Sequence, residues 1–203
     1  MTPFPKPVCA GWVLAGGLSR RMGSPKALLE INGQPQVART AQLVAGVCAS
    51  SAIVGPPEDF ARFGFPAFAD EQPRLGPLGG ILTALSRTQT DWNLVVACDL
   101  PYLTAEWLRY LVDRAAGSSA RVILPHSAAG PEPMCAVYHR DAAAAIRAAI
   151  KQGRLKVTRA LEGQPIESVT PPEIQPFDPR GNLFQNLNTP QDYDRARADL
   201  ERS

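Results

Sequence analysis

Between residues 10 and 35 the chain reads AGWVLAGGLSRRMGSPKALLEINGQP. The apolar run Trp12 to Leu14 ends in Ala15-Gly16-Gly17, two arginines follow at Arg20 and Arg21, and Gly23 precedes Lys26. A buried strand that runs into small residues lets backbone N–H groups come close to a phosphate, because no Cβ stands between them. With Leu14, Ala15, Gly16 and Gly17 as a backbone loop and Lys26, Arg20 and Arg21 as nearby cations, the segment suits a nucleoside triphosphate. Two better-known loops do not fit. A Walker A loop has four residues between its glycines and Lys-Ser/Thr directly after the second, whereas five residues separate Gly17 from Gly23 and Lys26 comes three after Gly23. The G-x-G-x-x-G spacing of a dinucleotide fingerprint is absent as well.

Acids suited to such a site occur at two further places. The run Leu94-Val95-Val96-Ala97-Cys98 reads as a buried strand, Asp99 stands at its carboxyl edge, and Pro101 stops the strand. Open α/β sheets bind ligands outside the carboxyl ends of their strands, and a carboxylate there can hold Mg²⁺ together with phosphate oxygens and water. A turn aspartate is the alternative, although Thr104 is better placed to cap the next helix. Asp70 lies upstream of Gly76-Pro77-Leu78-Gly79-Gly80, which opens a helix with proline in its first turn and glycines that permit close backbone approach. On composition alone, Asp70 also fits a solvated acidic turn.

LAGG-x-S-x-RMG-x-x-K followed by ALLEINGQP resembles the N-terminal segment of nucleotidyltransferases, most closely the molybdenum cofactor guanylyltransferases. The resemblance spans nearly the whole chain. It implies transfer of GMP from GTP to the terminal phosphate of molybdenum-loaded molybdopterin, with release of pyrophosphate and with Mg²⁺ as cofactor. It also implies that ACDLPYL is the metal-binding strand end, which puts Asp99 on the metal, and that Asp70 contacts the nucleotide. Lys26, Asp99 and Arg20 become the catalytic set. Two later segments match the family's acceptor side. One is the turn and strand from Gly130 through Pro133 to Tyr138; the other is Asn186-Leu187-Asn188-Thr189-Pro190, an N-x-N-T-P element. Asn186, Asn188 and Pro133 are the acceptor-binding residues so implied. Alternation puts both asparagines on one side of an extended segment, and an Asx-turn before the last helix suits Asn188 equally. The relatives that use CTP commonly read LAAG where this chain has LAGG, which favours GTP. Pro25 before the lysine is shared with those cytidylyl enzymes, so CTP-dependent cytidylyl transfer stays open. A non-catalytic nucleotide-binding regulatory module is a further alternative, against which the retention of Lys26 and Asp99 speaks. Transient contact with cofactor-delivery proteins or apo-molybdoenzymes is the protein partnership the resemblance allows.

The elements that must position these residues alternate along the chain. Trp12–Leu14, Ser51–Val54, Asn93–Ala97, Val122–Leu124 and Met134–Tyr138 read as strands. Helical length and spacing mark Pro35–Cys48, Pro57–Phe63, Leu78–Arg87, Thr104–Ala116, Asp141–Lys151, Arg154–Glu162 and Pro190–Leu200, the last capped by Thr189. Pro171–Gly181 reads as a surface loop. Such alternation predicts an α/β fold with a mostly parallel sheet between two helical layers. The family resemblance sharpens this to a three-layer α/β/α Rossmann-like nucleotidyltransferase fold.

At 203 residues, 45% hydrophobic and 20% charged, the chain fits a single domain over 1–203. A net charge of +2 gives no reason to expect nucleic acid or a membrane surface as partner. Cys9, Cys48, Cys98 and Cys135 are far apart and form no C-x-x-C pair, so reduced thiols and no structural zinc are expected. The opening MTPFPKPVCAG has prolines where a signal peptide needs an apolar run, and a cytoplasmic location is expected. His126 and His139, the only histidines, read as surface or turn residues rather than as bases. The acceptor that the resemblance implies, a phosphate monoester, is anionic at neutral pH and does not require one.

Overall fold

The computed structural model describes residues 8–16 and 26–202. Ten strands appear among them: β1 Cys9–Leu14, β2 Glu30–Ile31, β3 Gln34–Pro35, β4 Ser50–Val54, β5 Ala67–Phe68, β6 Trp92–Ala97, β7 Val122–Ser127, β8 Gly130–Pro131, β9 Cys135–His139 and β10 Ile166–Val169. The α-helices are α1 Gln36–Val47, α2 Pro57–Phe60, α3 Pro77–Arg87, α4 Ala105–Ala116, α5 Ala142–Lys151, α6 Val157–Ala160, α7 Pro171–Ile174 and α8 Pro190–Leu200. The main sheet has the order β10-β7-β9-β6-β1-β4-β5, with β8 paired to β7. β1 runs parallel to both β4 and β6, and β4 runs parallel to β5. β10 is parallel to β7, whereas β9 is antiparallel to both of its neighbours.

Side-chain alternation along the strands sorts the core into two layers. Cys9 and Val13 of β1, Leu94 and Val96 of β6, and Val137 of β9 pack with α1 and α4, including the fully buried Trp107. Trp12 and Leu14, Val95 and Tyr138 face the other way and pack with α3 and α5. This is the expected three-layer α/β/α arrangement. Gly11 permits the first contact, because a Cβ there would overlap the Val44 side chain of α1.

Local signals set most of the ends. Thr104 Oγ1 accepts from Trp107 N at 3.2 Å, and Thr189 Oγ1 accepts from Asp192 N at 3.2 Å within a full capping box. Asn32 and Gly33 both take positive φ (54° and 69°) and join β2 to β3 in a two-residue hairpin. Three expectations need correction. The helix expected over Arg154–Glu162 is formed only at Val157–Ala160, flanked by left-handed glycines at Gly153 and Gly163. Pro57–Phe63 is one α-turn followed by a 3-10 turn at Ala61–Phe63. The loop expected over Pro171–Gly181 begins with α7, where Thr170 and Glu173 form a capping box, and β10 precedes it unannounced by any alternation.

Candidate active site

One cavity opens at the carboxyl ends of β1, β4 and β6. Its lining includes Leu14, Ala15, Gly16, Lys26, Val54, Asp70, Gly76, Pro77, Gly80, Cys98, Asp99, Met134 and Asn186. Seven of the residues singled out in the sequence are thereby brought together from four separate stretches of chain: Leu14, Ala15, Gly16, Lys26, Asp70, Asp99 and Asn186. Gly17, Arg20 and Arg21 lie outside the described residues.

The parallel pairing of β1 with β4 and β6 explains the convergence. Leu14 is in register with Val54 on one side and Ala97 on the other, so the chain leaves the sheet at neighbouring points toward Ala15, Gly55 and Cys98. Cys98 N donates to Leu14 O at 3.1 Å and Ala15 N donates to Val54 O at 2.9 Å, which holds the three exits together. The first turn of α3 enters from the side. A Cβ on Gly80 would lie 3.3 Å from the Leu14 side chain, and one on Gly79 would lie 2.6 Å from Gln72 O and 2.9 Å from Asp70 Oδ2. Glycine at 79 is therefore what lets the helix abut the Asp70 turn.

Asp99 is half-buried, and burial pushes its carboxyl pKa above the usual range while the Lys26 ammonium opposes the shift. Burial, reinforced by Asp99, also pushes the Cys98 thiol far up, so that it stays protonated and inert. Lys26 Nζ donates to Asn188 Oδ1 at 3.1 Å. Leu187 N donates to Asp99 O at 3.0 Å, so the segment containing both asparagines is tied to the strand end that carries the acid. The two asparagines do not share the face of an extended segment. Asn188 N donates to Asn186 O at 3.0 Å, and this tight turn sends Asn186 to the cavity and Asn188 to Lys26.

Pro133 is not among the residues that line the cavity; its carbonyl accepts from Tyr138 Oη at 2.7 Å, and the neighbouring Met134 reaches the cavity instead. Neither histidine lines the cavity, and His139 sits at the opposite end of the sheet, in register with Trp92. One polar residue bonded to the cavity-lining Asp70 carries no motif in the sequence. Thr83 on α3 is fully buried and its Oγ1 donates to Asp70 Oδ1 at 3.1 Å. The available signal was a hydroxyl in the otherwise apolar run Leu78-Gly79-Gly80-Ile81-Leu82-Thr83-Ala84-Leu85.

Among the described lining residues one cation, Lys26, accompanies two carboxylates, Asp70 and Asp99. No group of three or more metal-ligating side chains occurs among the described residues. Mg²⁺ needs no such cage, since it takes one or two carboxylates and fills its remaining positions with phosphate oxygens and water. The donor set therefore fits that ion.

Comparison with known proteins gives the family. Residues 11–166 match the model of the MobA-like NTP transferase domain. The chain belongs to the MobA-like NTP transferase family. It is thus a nucleotidyltransferase. A molybdenum cofactor guanylyltransferase from Syntrophotalea carbinolica is 31% identical over 186 residues, covering 91% of this chain and 89% of the relative. A probable molybdenum cofactor guanylyltransferase from Pelotomaculum thermopropionicum is 33% identical, covering 95% and 94%. Among solved structures, molybdopterin-guanine dinucleotide biosynthesis protein A from Archaeoglobus fulgidus superposes with a TM-score of 0.83 at 26% identity, over 96% of this chain and all of that one. No helix among the described residues is long and apolar enough to cross a membrane.

Proposed function

We propose that this chain transfers GMP from GTP to the terminal phosphate of molybdenum-loaded molybdopterin, forming the guanine dinucleotide cofactor and releasing pyrophosphate. The observation that carries the reading is the meeting of Lys26, Asp70 and Asp99 at the carboxyl ends of β1 and β6, in a family of nucleotidyltransferases whose similar members are named for this reaction. Because the sheet runs unbroken from β5 to β10 and the segment after β10 returns to Asp99 through Leu187, we read residues 1–203 as one domain. A cytoplasmic location follows from the same reading, and it suits four buried cysteines that form no disulfide.

In the reaction an oxygen of the acceptor phosphate forms a bond to the α-phosphorus of GTP. The bond from that phosphorus to the bridging oxygen breaks, and its electron pair leaves with pyrophosphate. The acceptor is already ionised at neutral pH, so no side chain has to remove a proton. The task left to the protein is to bring two anions together in line and to offset their charge. Leu14, Ala15 and Gly16 present backbone to the nucleotide, and Lys26 places its ammonium on the phosphates once it leaves Asn188. Gly17 and Arg20 complete the phosphate side in this reading. Asp99 would hold Mg²⁺, which supplies charge neutralisation for the triphosphate and the departing pyrophosphate. Asp70 contacts the nucleoside. Asn186 in the cavity and Asn188 beside Lys26 supply carboxamides to the acceptor, with the backbone around Pro133 and Met134 closing that side.

Pyrophosphate release with Mg²⁺ and molybdenum-loaded molybdopterin, compared for GTP, CTP, ATP and UTP, tests the reading. Release with GTP alone is expected. Preference for CTP would replace guanylyl by cytidylyl transfer, and GTP binding with no release for any nucleotide would leave a regulatory module.

A further inference from the structure

We propose that Thr83 is a positioning residue for nucleoside recognition, turning the Asp70 carboxylate so that Oδ1 is held by the protein and Oδ2 is left for a donor on the nucleoside. The inference rests on the reading of Asp70 as a nucleoside contact, and it adds a residue with no place in that reading so far.

Asp70 Oδ1 accepts twice, from Gln72 N at 2.8 Å and from Thr83 Oγ1 at 3.1 Å. Oδ2 has no donor among the described residues, and Asp70 lines the cavity. The Gln72 contact is an Asx-turn, which an aspartate can form by itself. The Thr83 contact reaches across 13 residues from another element, and so it fixes the turn relative to α3. The same hydroxyl accepts from Glu71 N at 3.0 Å. A threonine hydroxyl has one proton to give; here it goes to the carboxylate while a lone pair serves the backbone. One turn further along α3, Arg87 Nε pairs with Glu71 Oε1 at 2.6 Å, and its guanidinium lies over the Phe68 ring. Residues 68–72 are thus latched to the helix at two levels.

Packing does not account for a threonine at 83. The residues around it on the helix, Leu78, Ile81, Leu82 and Leu85, are apolar and buried. A buried hydroxyl costs free energy unless it is bonded, and a bond to a charged acceptor is worth more than one between neutral groups. With Oδ1 occupied, the free oxygen is aimed by the latch rather than by ligand binding. What it can take is an alcohol or N–H donor, either a ribose hydroxyl or the amino edge of the base.

The test measures KM and kcat for GTP in Thr83→Val, Thr83→Ala and Thr83→Ser, alone and with Asp70→Ala. Both hydroxyl-free variants are expected to raise KM about tenfold, the order of one lost hydrogen bond to a charged group, with kcat within about twofold. Thr83→Ser should restore the wild-type KM. In the Asp70→Ala background, Thr83→Val should add nothing. A full effect of Thr83→Val in that background, or no rescue by serine, would show a packing role and overturn the proposal. If Asp70→Ala leaves KM unchanged, the nucleoside role of Asp70 fails first. Repeating the comparison with 2′-deoxy-GTP, 3′-deoxy-GTP, inosine triphosphate and N1-methyl-GTP identifies the donor, because the analogue lacking it no longer distinguishes wild type from Thr83→Val. Persistence of the tenfold difference with all four analogues would likewise overturn the inference.

Discussion

Replacing Asp99 by asparagine should make the protein more stable and nearly inactive at once. The carboxylate is half-buried beside one ammonium, and burial raises its pKa above the ordinary 3.8 against the opposing pull of Lys26 and of a backbone hydrogen bond. A group whose folded pKa is raised binds protons more readily in the native state than in the unfolded chain. Ionised Asp99 therefore costs stability at any pH above its folded pKa, and the cost vanishes as pH falls through that pKa toward 3.8. Asparagine removes the charge and keeps the shape. Relief on the order of 1 kcal/mol, typical where activity and stability conflict, corresponds to about 2–4 °C in thermal midpoint for a chain of this size. The gap between variant and wild type should be widest at neutral pH and narrow toward pH 4. Wild type should gain about 5–10 °C from Mg²⁺·GTP at a hundred times its Kd, since that occupancy is worth about 2.7 kcal/mol, and Asp99→Asn should lose most of the gain. Turnover should fall about a thousandfold, the effect of removing several kcal/mol of metal-linked charge stabilisation. Scanning calorimetry across pH, with and without Mg²⁺·GTP, reads the first three effects and pyrophosphate release reads the fourth. A variant less stable than wild type at neutral pH, or one with GMP transfer within tenfold of normal, would refute the placement of Asp99 as a desolvated metal ligand.

Lys26→Ala should lower kcat by about 10²–10³, the cost of losing one donor to charge that develops in a transition state, with the circular dichroism spectrum unchanged. Retention of near-normal turnover would remove Lys26 from the phosphate site. Gly79→Ala puts a Cβ against Gln72 O at 2.6 Å and Asp70 Oδ2 at 2.9 Å, so the Asp70 turn must move. Overpacking of this kind costs about 1–3 kcal/mol and should appear as a lower urea midpoint together with a higher KM for GTP. Gln36, fully buried at the start of α1, has no hydrogen-bond partner among the described residues for either side-chain polar atom. Gln36→Met, nearly equal in volume, should raise the thermal midpoint by about 2–4 °C, because an unsatisfied buried amide costs at least about 1 kcal/mol; a fall would reveal a partner such as an ordered water.

The strands and helices that build the three-layer core were readable because burial imposes a period on the sequence. Trp12–Leu14 and Asn93–Ala97 are continuous apolar runs, as expected for strands covered on both faces. Thr104 and Thr189 announce the starts of α4 and α8 through side-chain chemistry that acts within one turn. Where elements take their stability from a distant neighbour, the signal failed. β10 alternates poorly and exists because β7 supplies its hydrogen bonds. The β2–β3 hairpin, by contrast, is written locally in Asn32-Gly33, whose positive φ angles make the two-residue turn.

Residue chemistry likewise announced Lys26, Asp70 and Asp99, because glycine-rich backbone, ammonium and strand-end carboxylate are what a metal-bound triphosphate needs, wherever they fall in the chain. Their meeting in one cavity was decided by sheet order: β1 lies between β4 and β6, so three chain exits separated by tens of residues become neighbours. Tertiary structure alone set the remainder. The turn at Asn186–Asn188 divides two asparagines that alternation would have put on one face, Met134 rather than Pro133 reaches the cavity, and Thr83 finds Asp70 across two elements. Periodicity and capping act over a few residues and are written locally. The orientation of a carboxylate depends on which donors the fold brings within 3 Å or so of it, and no local pattern carries that.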